Sequence, residues 1–142
     1  MIFRNYDPGL VVMVFHNITV QGYAADTFIN AERMEDGFEM VVGANGDVTR
    51  VRNRNRTGSV TATLLQASPT NDLLSAVADE DELFGTGVGP LLVKDLNGTS
   101  LAQATEAWIR KVPAMPFAAS AESREWIFDC AQLRLLVGGA LV

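Results

Sequence analysis

Residues 49 to 59 read TRVRNRNRTGS, which places Arg50, Arg52, Arg54 and Arg56 at every second position in a chain of formal charge -6. Guanidinium groups hold phosphates or carboxylates through forked, charge-assisted hydrogen bonds. Successive side chains of an extended segment point to opposite faces, so the spacing predicts all four arginines on one face. A nucleic-acid grip would interleave aromatic rings for stacking or present a recognition helix to a groove. The neighbours Val51, Asn53 and Asn55 supply neither. The balance of 17 acidic against 11 basic side chains also argues against a dedicated nucleic-acid binder. Four like charges in one row repel unless carboxylates lie opposite or on a partner. The row is expected to be an intersubunit contact, with a solvated strand face and a nucleic-acid site as the alternatives.

Other chemistry is sparse. The single histidine, His16, stands in the apolar run LVVMVFHNITV and is expected to be a structural strand residue, not a base or metal ligand. The single cysteine, Cys130, lies in WIFDCAQL and is expected to be a small core residue. No second His or Cys completes a nitrogen and sulfur metal site, so no metal or cofactor is expected. Asp79, Glu80, Asp81 and Glu82 lack the glycine and distal glutamate of a calcium loop. Gly85-Thr-Gly87-Val-Gly89 follows a helix instead of opening one and has no P-loop lysine, so it is expected to be a flexible turn and not a phosphate cradle. No spacing picks out a pair of catalytic carboxylates, and an enzyme is not expected.

The elements that position these residues are mainly strands. Leu10 to Val20 is rich in β-branched residues and predicts one long strand, and Asp26 to Glu35 predicts a second, more polar strand or arm. Phe38 to Asn53 predicts a hairpin with a type I′ turn at Asn45-Gly46, running into the arginine strand at 56. Ser59 to Gln66 alternates Val60, Ala62 and Leu64 against Ser59, Thr61 and Thr63: one face is core, the other small, hydroxylated and uncharged. Ser68-Pro69 opens a helix over 69–84 whose apolar face carries Leu73, Leu74 and Val77 with Ala76 and Ala78. The acidic run in its last turn opposes the helix dipole and implies something positive nearby. A second hairpin surrounds Asn97-Gly98, a Pro/Ala-rich connection follows, and Trp126 to Val137 makes the last strand. This inventory predicts a mainly β sandwich or barrel with one helix against it, in a single domain of residues 1–142.

The bulk composition agrees. With 48% hydrophobic and 20% charged residues the chain is ordinary globular protein. At this size about 68–70% of the unfolded surface is buried, so neither metal nor disulfide is needed. No signal-peptide pattern and no apolar stretch near ~20 residues is present, so the protein is expected to stay in solution, off the membrane.

The run VVGANGDVTRVRNRNRTGSVTATLLQASPTNDLLSAV, with the opening YDPGLVVMVF and the ending WIFDCAQLRLLVGG, resembles the tail tube proteins of contractile-tailed bacteriophages. The likeness runs almost end to end, and RTGSVTATLLQASPTNDLL is its most specific stretch. The resemblance implies two packed antiparallel sheets and a flanking helix, a fold shared with type VI secretion tubes. It implies a homo-hexamer whose rings stack into a tube inside a sheath, with DNA passing through the lumen during genome ejection. Inner sheets would join across subunits, while a long hairpin and the N-terminal arm would contact neighbours. Tail sheath, baseplate, tape measure and tail terminator proteins are the implied partners, and the implied location is the virion, after assembly in the host cytoplasm. On this reading Ser59, Thr61 and Thr63 face the lumen, since a DNA conduit should offer phosphate no fixed cations. Arg50, Arg52, Arg54 and Arg56 would then meet a neighbour's carboxylates, with Asp79 to Glu82 the first candidates. The alternatives are a type VI-like tube subunit and a small β-barrel module binding nucleic acid or a ligand.

Overall fold

The computed structural model describes residues 1–142. A single 3₁₀ turn, Pro8–Leu10, leads into β1 (Val11–Phe15) and β2 (Ile18–Thr19). The remaining elements are β3 (Ile29–Arg33), β4 (Phe38–Val42), β5 (Val48–Arg52), β6 (Gly58–Leu65), α1 (Thr70–Phe84), β7 (Gly89–Asp95), β8 (Leu101–Lys111), β9 (Ser123–Cys130) and β10 (Arg134–Leu136). Two antiparallel sheets result: one of eight strands in the order β2-β1-β7-β8-β9-β6-β3 with β10 added to β8, and one made of β4 and β5 alone.

The large sheet curls on itself. Phe15 on β1 and Phe128 on β9 are separated by two intervening strands, yet their ring centroids lie 4.8 Å apart. Neighbouring strands of a flat sheet are already about 4.8 Å apart, so these rings can meet only across a fold in the sheet. The bend is built into β8, whose first part pairs with β10 and whose last part pairs with β9. Register shifts at Gly89/Leu91 and Ile109/Lys111 sharpen it, since bulges bend and twist the strand that carries them. The enclosed core takes the alternating residues Val60, Ala62 and Leu64 as expected, together with Met13, Phe15, Trp126 and Phe128.

Helix α1 closes one side. Leu74 is fully buried and Val77 and Ala78 pack beside it, whereas Leu73 and Ala76 face solvent, a correction to the predicted apolar face. Its position is set by polar ties at its start: Gln21 N–H donates to Thr70 Oγ1 (3.0 Å), Ser68 Oγ donates to the Gln21 carbonyl (2.6 Å) and Trp126 Nε1 donates to Asn71 Oδ1 (2.9 Å). Gly85 ends it in the left-handed region at φ 69°.

Other expectations are corrected. Leu10 to Val20 is not one strand: His16 (φ 51°) and Asn17 (φ 66°) form a two-residue turn between Phe15 and Ile18. Positive φ at both central positions is the type I′ requirement, so that turn occurs here. At Asn45-Gly46 only Gly46 has positive φ (87°), and the loop Gly43 to Asp47 is closed by Gly43 N–H donating to the Asp47 carbonyl. The predicted last strand is two strands, because Ala131 to Leu133 turn between β9 and β10.

Candidate functional site

Every residue from Met34 to Arg52 is exposed, so the β4–β5 hairpin stands clear of the body. Its register pairs Phe38 with Arg52, Met40 with Arg50 and Val42 with Val48. Directly opposed residues share a face. One face therefore carries two arginines beside four apolar side chains, and the other carries Glu39, Val41, Thr49 and Val51. The Arg50 guanidinium lies 3.5 Å from the Phe38 ring centroid and that of Arg52 lies 5.7 Å away. Stacking on an aromatic face holds a cation in place without consuming its hydrogen-bond donors.

The arginine row is split, against the expectation of one face. Strand β5 ends at Arg52, and Arg54 and Arg56 lie in an irregular segment. Asn53 Oδ1 accepts from Asn55 N–H (2.9 Å), and Asn55 Oδ1 accepts from Thr57 N–H (3.0 Å) and Thr57 Oγ1 (2.7 Å). Asparagine side chains satisfy backbone donors locally and so compete with a ladder. Asn53 Nδ2 also donates to Glu35 at 2.8 Å, and amide hydrogen bonds from Asn53 and Asn55 hold the Glu35 carboxyl below its usual range. Arg50, Arg52, Arg54 and Arg56 are all exposed, and none makes an ion pair within the chain.

The acidic run divides as well. Asp79, Glu80 and Glu82 are exposed and unpaired. Asp81 Oδ1 accepts from Gly87 N–H at 3.0 Å, and a Cβ on Gly87 would come within 2.6 Å of Asp81 Cγ. Gly89 sits against the His16 ring, where a Cβ would meet Nδ1 at 2.9 Å. The glycine loop is thus a packed closure between α1, β7 and the β1–β2 turn, which corrects the expectation of a flexible turn.

Ser59, Thr61 and Thr63 share one half-buried face, as their alternation predicts. Their cross-strand neighbours are Glu32 and Asp129 beside Ser59, Asn30 and Ile127 beside Thr61, and Glu125 beside Thr63. The hydroxyl stripe is therefore flanked by three carboxylates. Arg110 reaches it from β8 and is held by Asp129 through Nε (3.0 Å) and Nη2 (2.7 Å), the chain's single ion pair. Cys130 is buried with its thiol pushed up to about 11 by desolvation and the adjacent Asp129 charge, which makes it a poor nucleophile. No group of three His, Cys, Asp or Glu side chains is placed to hold a metal ion.

Residues 14–138 match the family model described as bacteriophage PhiTE tail tube protein. The chain belongs to this tail tube family. It is also 30% identical over 142 residues to "Structural protein ORF10" of Pseudomonas phage KPP10, covering 94% of this chain and 82% of that one. Both place the tail tube chain among phage structural proteins, not enzymes, and as a component of the virion. Solved structures share its fold at low identity. A chain of the anti-feeding prophage tube-terminating cap matches at TM-score 0.65 and 7% identity, over 96% of this chain and 93% of that one. A chain of the PVC extracellular contractile injection system's sheath/tube terminator matches at 0.67 and 8%, over 96% and 100%. A chain of the PVC sheath-tube complex matches at 0.63 and 6%, over 96% and 93%.

Two parts of the tail tube protein's surface were not legible in advance. One is the acidic flank of the hydroxyl stripe, which depends on pairing of strands far apart in sequence. The other is the apolar component of the arginine face, for which FEMVV opposite VTRVR was the available signal.

Proposed function

We propose that this tail tube protein assembles as hexameric rings stacked into a hollow tube, through which DNA passes inside a contractile sheath. The observation that carries the reading is the β4–β5 hairpin. Both its faces are exposed, and Phe38, Met40, Val41, Val42, Val48 and Val51 are all outside the core, with Arg50 of the same hairpin stacked on Phe38. A two-stranded hairpin is marginal by itself in water and needs a surface to pack on. A second copy of the chain supplies it, and head-to-tail contacts of this kind propagate into open filaments.

Electrostatics supports the same arrangement. The four arginines meet a neighbour's carboxylates, among which Asp79, Glu80 and Glu82 form the densest unpaired group. Ser59, Thr61 and Thr63 face the lumen, bordered by Glu32 and Glu125, whose negative charge keeps phosphate from adhering, while Asp129 neutralises the one nearby cation, Arg110. Sheath, tail terminator, baseplate and tape measure proteins are the partners of such a tube, which assembles in the host cytoplasm. Negative-stain microscopy of the concentrated protein tests this: rings or tubes are expected for the natural chain. Arg50→Glu with Arg52→Glu should leave a folded monomer that forms none. Tubes of normal length from that variant would remove the arginines from the interface.

A further inference from the structure

We infer that the seam between β3 and β10 is the socket for the β4–β5 hairpin of a second copy. This rests on the tube reading above and specifies its contact. Strand β3 pairs only with β6, and β10 only with β8, so each keeps an edge without a strand partner, and both line one groove. Arg33 Nε donating to the Leu133 carbonyl at 3.0 Å is a polar tie between the two sides. Beside it lies a groove of about 490 Å³ lined by Ile29, Val93, Leu135 and Leu136, with Asp26 and Asp95 in its wall. Neither carboxylate has an ion-pair partner in the chain, and Asp95 keeps one oxygen free, its Oδ1 accepting from Asn97 N–H at 3.0 Å.

The complement is the hairpin face. Apolar groove with two carboxylates matches apolar strand face with two arginines, and Phe38 already holds Arg50 in place. Strands β4 and β5 pair only with each other, so the hairpin too has open edges and can add to the seam by main-chain hydrogen bonds as well as side chains. The acidic end of α1 offers carboxylates but no strand edge, which leaves Asp79, Glu80 and Glu82 to Arg54 and Arg56 beyond the hairpin. The N-terminal arm is part of the groove's wall and not its occupant: Tyr6 lines it, and Asn5 N–H donating to the Val142 carbonyl (2.7 Å) with Asn97 Nδ2 donating to the Asn5 carbonyl (3.1 Å) anchors the arm's base to its own chain.

Engineered cysteines test this cleanly, since the native Cys130 is buried. Val42→Cys combined with Leu136→Cys should give, on oxidation of assembled tubes, a ladder of covalent multimers on a non-reducing gel. Neither single variant should pass beyond a dimer. A ladder from Val42→Cys with Leu83→Cys, or from Ile2→Cys with Leu136→Cys, in place of the first would overturn the assignment in favour of the helix end or the arm. Tubes without the expected ladder sink this inference alone, whereas a natural chain that never assembles sinks the tube reading. Asp26→Asn, which suits the left-handed backbone there (φ 61°), should raise the protein concentration needed for tubes roughly two- to fivefold at low salt. In an Arg52→Gln background it should add nothing, and full additivity would separate the two residues.

Discussion

The body of this protein and its hairpin solve opposite problems with the same secondary structure. In β6 and β9 alternate side chains are buried and meet across a curled sheet, so each strand is held by two neighbours and a core. In β4 and β5 no residue is buried, and the apolar side chains that a core would absorb are displayed instead. The body specifies a monomer. On the proposed assembly the hairpin is completed by another copy, so mutations in the two regions should divide cleanly between stability and assembly.

The contrast is tested most strongly by Phe128→Ala, which empties the centre of the core and should cost about 3–5 kcal/mol in denaturant unfolding, with assembly lost only because the fold is. Gly58→Ala comes next. A Cβ there would collide with Leu133 and meet the Glu32 carbonyl oxygen at 2.7 Å, for an expected loss of about 1–3 kcal/mol. Phe38→Ala and Met40→Ala should shift monomer stability by no more than about 0.5 kcal/mol while suppressing tube formation seen by microscopy. A stability loss as large as that at Phe128 would show that the hairpin is packed on its own body.

Two pH effects are smaller. The Cys130 thiol rises from 9.0 to about 11 on folding, so between those values the unfolded chain has lost a proton that the folded chain keeps. Stability should therefore fall as pH rises through this window, and Cys130→Ala should flatten the decline in denaturant midpoint. Glu35, at the hairpin base, has its carboxyl lowered from 4.5 by amide hydrogen bonds, so its contribution is present above about 4.5 and fades as pH falls through the folded value. An NMR titration placing Glu35 at or above 4.5 would show that its hydrogen bonds from Asn53 and Asn55 are not formed.

What the sequence made legible was local. The alternation at Val60, Ala62 and Leu64 gave the buried face of β6, and Pro69 and Gly85 bracketed α1 within a residue of its observed span. The β1–β2 turn was hidden because His16-Asn17 interrupts a β-branched run without glycine or proline, and asparagine tolerance of positive φ is only a weak signal. The arginine row misled because period-two spacing says nothing of backbone, and Asn53 and Asn55 draw the chain out of the strand after Arg52. The groove beside Leu135 could not be read at all: its walls come from segments a hundred residues apart, brought together by register.

The two regions also differ in how far apart their partners lie along the chain. Val42 meets Val48 across a short loop, whereas β1 must find β7, with Val11 opposite Asp95. Hairpins close in about 1–10 μs, while pairings of long sequence separation wait on a costly search. The hairpin's own contacts are therefore local and quick to form, while the body waits on segments far apart in the chain; marginal by itself, the hairpin persists only with a surface to pack on. On the proposed tube, the socket exists only once those distant segments have paired, so a slowly folding body would delay docking of the hairpin.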